Sequence, residues 1–314
     1  MRANLELPQE VNSVKLHGGE GIGLFRSEYL FLARYRPPNE EEQLADYRYV
    51  IEAMAPHPVT IRTFDLGGDK VFPDLPHPVE ANPFMGWRAI RVCLDQPQLF
   101  HTQLRAILRA SAYGSTRIMF PFISDVGEIT EVKAHLAHVK SQLTAEGVRF
   151  DPDMKVGIMI ELPSAALMAD RMAREVDFFS IGTNDLIQFT LAVDRGNERV
   201  HTRYHPLHPA LVKLIKMTVE AGHNAGIEVA ICGELAANPI ATMLLVGLGL
   251  DELSVSPVGV PEVKKIIRSM DYSEAAAFAR QTLEYATAHE LTQFCLDEMR
   301  HRFADLPIWF NGEV

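Results

Sequence analysis

Polar residues with chemical potential recur directly after short apolar runs in this 314-residue chain. Arg26 follows the run at 22–25, and Arg62 lies at the end of 59–63. Glu161 follows 156–160, while Asn184 and Asp185 come after 178–181 and a Gly182-Thr183 pair. Cys232 and Glu234 follow 228–231. As a set they are coherent. Two hard carboxylates, Glu161 and Asp185, suit Mg²⁺, which takes one or two carboxylates and leaves the rest of its shell to substrate oxygens and water. Arginine forks match a phosphate bidentately and stay charged. Phosphoryl transfer asks a protein mainly for alignment and charge neutralisation, and a thiol beside a carbon acid can donate a proton. Singly, each residue has a plainer reading. An arginine at a strand end is more often a surface or salt-bridging group. Glu161, just before Pro163, is about as well placed to cap the next helix. A buried cysteine usually packs as a small hydrophobe. The functional reading therefore rests on convergence.

Convergence needs a frame. Eight β-rich apolar runs are present, at 3–7, 22–25, 59–63, 117–120, 156–160, 178–181, 228–231 and 253–255. Several are continuously apolar rather than alternating, as strands covered on both faces are. Helical patterns separate them. Asn39 is placed to cap a helix whose first turn holds Glu40, Glu41 and Glu42 and whose stripe is Leu44, Tyr47, Ile51 and Met54. Asp125 and Glu128 read as a capping box, Pro209 as a first-turn proline, and Ser273 as a further cap. Eight strands alternating with helices predict an α/β fold, a (β/α)8 TIM barrel in one domain spanning 1–314, with an open doubly wound sheet as the alternative. That alternative lacks its glycine fingerprint, because Gly21-Ile22-Gly23 is followed by Arg26 where the third glycine belongs. Gly67-Gly68-Asp69-Lys70 is no Walker loop either: the upstream glycine and the following Ser/Thr are missing. In a barrel, polar residues at the carboxyl ends of strands meet at one mouth.

Composition narrows the classes. Hydrophobic residues make up 47% and charged residues 23%, which excludes a mostly disordered chain. Thirty Lys and Arg against 41 Asp and Glu give a net charge of −11. That argues against broad binding to nucleic acid or an anionic membrane, and leaves room for a local cationic pocket. The three cysteines, Cys93, Cys232 and Cys295, are too few and too scattered for a disulfide framework or a zinc site, and fit a cytoplasmic protein. The first residues lack a signal-like apolar stretch, and the most apolar run, 240–250, is far short of a membrane span.

Longer motifs sharpen the reading. Gly21-Ile22-Gly23-Leu24-Phe25-Arg26-Ser27-Glu28, Ile61-Arg62-Thr63-Phe64-Asp65-Leu66-Gly67-Gly68-Asp69-Lys70 and Asn82-Pro83-Phe84-Met85-Gly86-Trp87-Arg88 occur in order. They are followed by Phe178-Phe179-Ser180-Ile181-Gly182-Thr183-Asn184-Asp185-Leu186, Val193-Asp194-Arg195-Gly196-Asn197 and Cys232-Gly233-Glu234-Leu235. Together they resemble, nearly end to end, the C-terminal phosphoenolpyruvate-binding domain of the phosphoenolpyruvate–protein phosphotransferases, enzyme I of the bacterial sugar phosphotransferase system. Pyruvate phosphate dikinase and phosphoenolpyruvate synthase share a related barrel, but do not typically carry the Gly-Gly-Asp-Lys or the Asp-Arg-Gly-Asn stretch.

The resemblance implies roles. Arg26, Arg62, Arg88 and Arg195 would hold the phosphate and carboxylate of phosphoenolpyruvate, with Asn184 adding a contact through side chain or backbone. Glu161 and Asp185 would ligate Mg²⁺, Asp185 lying beside the substrate. Cys232 would protonate the enolate to give pyruvate. Arg88 sits outside the strand-end set, so its role comes from the resemblance alone. Arg117 and Lys70 are weighed as supporting residues behind the site. The family also implies a homodimer, a phosphohistidine domain on the N-terminal side, and through it the carrier protein HPr. None of the 12 histidines here has the glycine-rich Ser-His context of the acceptor, and His205 and His208 lie in a proline-flanked loop. The expectation is a domain of a longer parent, or a stand-alone homologue, unable to complete transfer alone. The alternatives are a non-catalytic phosphoenolpyruvate-sensing dimerisation module and a dikinase-type domain.

Overall fold

The apolar runs assemble into one parallel sheet that closes on itself. A computed structural model describes residues 1–32, 36–67 and 80–304. Its strands are β1 (Arg2–Leu5), β2 (Ile22–Arg26), β3 (Val59–Arg62), β4 (Thr116–Phe120), β5 (Lys155–Ile160), β6 (Phe178–Ile181), β7 (Glu228–Ile231) and β8 (Glu252–Val255). Each pairs with the next, and β8 returns to β1 through Arg2–Ser254 and Ala3–Val255. The fold is the (β/α)8 barrel, not the open sheet. Every residue of β3, β4, β6 and β8 is buried, because helices cover one face and the packed lumen the other.

All eight expected strands are present, with small shifts at their ends. β1 stops at Leu5 because the backbone N–H groups of Glu6 and Leu7 turn to the Glu10 carboxylate, at 2.9 and 3.0 Å, ahead of a single turn begun by Pro8. The helix Glu40–Met54 carries the expected Asn39 cap, closed into a full capping box: Asn39 Oδ1 accepts from Glu42 N–H and the Glu42 carboxylate accepts from Asn39 N–H. Its stripe of Leu44, Tyr47, Ile51 and Met54 is buried. Two expected caps differ. Asp125 caps Val126–Ala145, but Glu128 reaches Ser124, at 2.6 Å to N–H and 2.9 Å to the hydroxyl, rather than Asp125, so the box is open. Ser273 falls inside Tyr272–Thr282, whose cap position is Asp271.

The lumen divides into a floor and a mouth. Arg117, second residue of β4, sits at the amino-terminal end. It donates to Thr60 at 2.9 Å, Glu228 at 3.1 Å and Glu252 at 3.0 Å, and stacks 4.5 Å from the Phe178 ring centroid. Arg2 adds a 2.6 Å pair to Glu252. This network closes the floor and corrects the placing of Arg117 behind the site, since it lies at the opposite end of the strands. Above it, Leu24, Met119, Met159, Phe178 and Cys232 form an apolar plug. Lys70 lies outside the described residues. Among the described residues no helix is long and apolar enough to cross a membrane.

Candidate functional site

A cavity of about 680 Å³ opens at the carboxyl ends of the strands. Arg26, Arg62 and Arg88 line it, as do Glu161, Asn184 and Asp185, with Arg195 and Cys232 completing the expected set. The eight residues come from seven different stretches of chain, which only the barrel brings together.

Arg62 ends β3 and is 5% exposed. Its Nη2 lies 2.5 Å from Glu28 and 3.4 Å from Asp65, and its Nη1 lies 3.5 Å from Met159 Sδ. Burial works against its charge, but Glu28, Asp65 and Glu161 outweigh burial and hold the guanidinium firmly protonated. A buried polar chain fixes its backbone. The Ser27 hydroxyl donates to Arg62 O at 2.7 Å, and Gln103 Nε2 donates to Ser27 and to the Tyr47 hydroxyl at 2.9 and 3.0 Å. Gln103 Oε1 in turn accepts from Phe64 N–H at 2.9 Å.

Arg88 reaches the mouth from the loop that follows β3. Its Nη2 bridges Asp65 at 3.0 Å and Asp185 at 2.9 Å, and its plane lies 4.5 Å from the Phe122 ring centroid. Gly67 makes this possible. It adopts φ +101° against the backbone of Trp87 and Arg88, where a Cβ would collide, and Ala89 N–H donates to Leu66 O at 2.8 Å. Arg26, the last residue of β2, pairs with Glu6 at 2.5 Å and Glu28 at 3.2 Å. Arg195 stands exposed on the rim, its backbone N–H donating to Gln188 at 3.2 Å.

Glu161 does not cap a helix. Pro163 starts the helix Pro163–Leu167, with Leu162 in the cap position. The Glu161 carboxylate instead lines the cavity and accepts from Phe122 N–H at 2.6 Å. Burial, then Asp185 and Asp65, push Glu161 up to about 8 against the pull of Arg62 and Arg88. Asp185 Oδ2 accepts from Arg88, while its buried Oδ1 has no hydrogen-bond partner among the described residues. The Asn184 side chain is committed to Glu234, donating to its carboxylate at 2.8 Å and accepting from its N–H at 2.9 Å. Cys232 is 4% exposed, and its thiol donates weakly to Ile181 O at 3.7 Å. Burial pushes the thiol up to about 11, so it is held protonated.

Four site residues were not singled out from sequence. Glu28 and Asp65 hold the arginines, and both sit inside the quoted motifs, two residues after Arg26 and three after Arg62. Asn4 lines the cavity, donates to Cys232 O at 3.0 Å and accepts from the Ser254 hydroxyl at 2.7 Å. A polar side chain inside the first apolar run was its signal. Glu6 lines the mouth without any motif to mark it.

A barrel whose mouth sets buried arginines against carboxylates defines an anion-binding (β/α)8 domain. Residues 1–272 match the family described as PEP-utilising enzyme, PEP-binding domain, and the chain belongs to that family. It is 49% identical over 291 residues to the phosphoenolpyruvate-protein phosphotransferase of Haemophilus influenzae, a match covering 93% of this chain and 51% of that protein. With the protein of the same name from Bacillus subtilis it shares 47% identity over 294 residues, covering 94% and 52%. The chain thus spans about half the length of the curated relatives it matches.

Proposed function

We propose that this chain binds phosphoenolpyruvate at the barrel mouth together with Mg²⁺ and activates its phosphoryl group for transfer to a histidine on another domain. The observation that carries this reading is the pair Arg62 and Arg88, both nearly fully buried yet lining an open cavity beside Glu161 and Asp185. Family membership supports the ligand. Arg62 and Arg88 orient the phosphate, Arg26 and Arg195 close on it and on the carboxylate from the rim, and Asn184, its side chain held by Glu234, offers its backbone.

The donor set fits a hard divalent cation. Among the described residues no group of three or more His, Cys, Asp or Glu forms a ready cage. Mg²⁺ needs none, since substrate oxygens and water complete its shell. Asp185 Oδ1 is buried without a hydrogen-bond partner among the described residues, and burial beside Asp185 and Asp65 raises the Glu161 pKa, so a cation held there would relieve both carboxylates. Bound there, Mg²⁺ supplies charge neutralisation on the phosphoryl oxygens.

The arginines hold the phosphoryl group in line with the incoming histidine nitrogen and disperse charge on the leaving enolate. The phosphorus–oxygen bond to the enol breaks as the phosphorus–nitrogen bond forms. Cys232 gives its proton to the enolate methylene carbon, yielding pyruvate, and its thiolate regains a proton from solvent. The partners of this reading are a phosphohistidine domain, through it HPr, and a second copy of the chain, in the cytoplasm.

Mixing the chain with a separately prepared histidine-bearing domain, phosphoenolpyruvate and Mg²⁺ tests the reading. Pyruvate and phosphohistidine in equal amounts are expected. Tight binding without either product would overturn the transfer role.

A further inference from the structure

Among the described residues, Arg26 is the one arginine of the mouth whose guanidinium is shared between a buried and a solvent-facing carboxylate. Its Nη1 lies 2.5 Å from Glu6 Oε1, and its Nε lies 3.2 Å from Glu28 Oε1. A guanidinium grips an oxyanion bidentately along either of two edges, Nε with Nη2 or Nη1 with Nη2. In Arg26 the first edge is engaged by Glu28 and the second by Glu6. A two-bond grip on an incoming phosphate or carboxylate would use Nη2 with Nε or with Nη1, the nitrogens these acids hold, so the ligand competes with one of them.

The surroundings decide which. The Glu28 side chain is fully buried and also pairs with Arg62 at 2.5 Å, so releasing it would strand charge in the interior. The Glu6 side chain is 41% exposed and rehydrates freely. Its backbone is pinned by the Glu10 carboxylate, which accepts from both Glu6 and Leu7 N–H, so Glu6 stays at the mouth whether or not it holds Arg26. Arg26 meanwhile remains oriented by Glu28 and by the Tyr29 ring, 4.8 Å from the guanidinium carbon.

We propose that Glu6 is a competing carboxylate that occupies the ligand-facing edge of Arg26 in the ligand-free protein and must be displaced by the anionic substrate, so that it sets the affinity of the site. The inference rests on the proposed function and deepens it. A phosphate dianion outbids the Glu6 carboxylate for Arg26. A ligand bearing only one carboxylate offers no such gain, so the pair re-forms once the phosphoryl group has left.

The test is calorimetric titration of phosphoenolpyruvate with Mg²⁺ into the wild-type chain, Glu6→Gln and Glu10→Gln, at low ionic strength and at about 1 M salt, where the screening length falls to ~3 Å. Glu10→Gln removes a charge from the same cavity while its amide oxygen still accepts from the turn. Glu6→Gln is expected to bind roughly three- to fivefold more tightly, the range an exposed ion pair of up to ~1 kcal/mol allows. The gain should shrink at high salt, and Glu10→Gln should stay within about twofold of wild type. Equal or weaker binding by Glu6→Gln, or the same gain in Glu10→Gln, would overturn the competition while leaving the proposed function standing. Absence of binding by the wild-type chain would overturn both.

Discussion

Arg88 and Asp185 stand 97 residues apart in the chain, yet Arg88 Nη2 lies 2.9 Å from the Asp185 carboxylate. The same nitrogen holds Asp65, and all three side chains are buried. Removing Arg88 would leave two buried carboxylates against each other. Arg88→Met is therefore expected to lower stability to urea by about 3–5 kcal/mol. Adding Asp185→Asn should restore part of that loss, because the second change removes a stranded charge. A double-variant loss equal to the sum of the Arg88→Met and Asp185→Asn losses would show that the pair carries no coupling.

The thiols should differ in reactivity in a way set by burial and access. Cys232 lines the cavity and burial pushes its thiol up to about 11, while burial raises Cys295 to about 12 and Cys93 well above its ordinary value. The thiolate is the reactive form. Alkylation followed by mass spectrometry should label Cys232 first, slowly near neutral pH and faster as pH rises toward 11. Rapid labelling at neutral pH would contradict a thiol held protonated for donation.

Gln103 ties two strand ends to the helix Glu40–Met54 through Ser27, Phe64 N–H and Tyr47. Gln103→Leu strands those groups in the interior and should cost about 1–3 kcal/mol. It should also weaken phosphoenolpyruvate binding, because Arg62 loses the backbone anchor that Ser27 provides. Unchanged melting and binding would show the chain of bonds to be dispensable.

A cluster remote from the mouth should govern acid stability. His101 Nε2 lies 2.8 Å from His135 Nδ1, and the His138 ring is centred 5.3 Å from that of His101. Burial, then His135 and His138, lower the pKa of His101. The unfolded chain, with its histidines at about 6.5, binds more protons below that pH, so this contribution is intact above 6.5 and is lost as pH falls. Denaturation of His101→Gln across that window should show a flatter decline than wild type. Parallel curves would remove His101 from the acid response.

The sequence reading succeeded where position in a run carries the information. All eight strands were legible because residues covered on both faces leave unbroken apolar runs, as in Phe178–Ile181. Arg26, Arg62, Glu161 and Cys232 were legible because they fall at the carboxyl ends of those runs. Arg117 shows the same rule from the other side, for it opens its run and lies on the floor. Arg88 had no such address, since its place depends on the loop after β3 folding back through Gly67. Glu6 was hidden for a similar reason: β1 ends two residues sooner than its apolar pattern, which frees the carboxylate to meet Arg26.

The central claim is tested most directly by a crystal structure of the chain soaked with phosphoenolpyruvate and magnesium. The account predicts the phosphate seated on Arg62 and Arg88, with the cation held by Glu161 and Asp185. A mouth that stays empty at saturating ligand, with the Arg88–Asp185 pair unaltered, would contradict it.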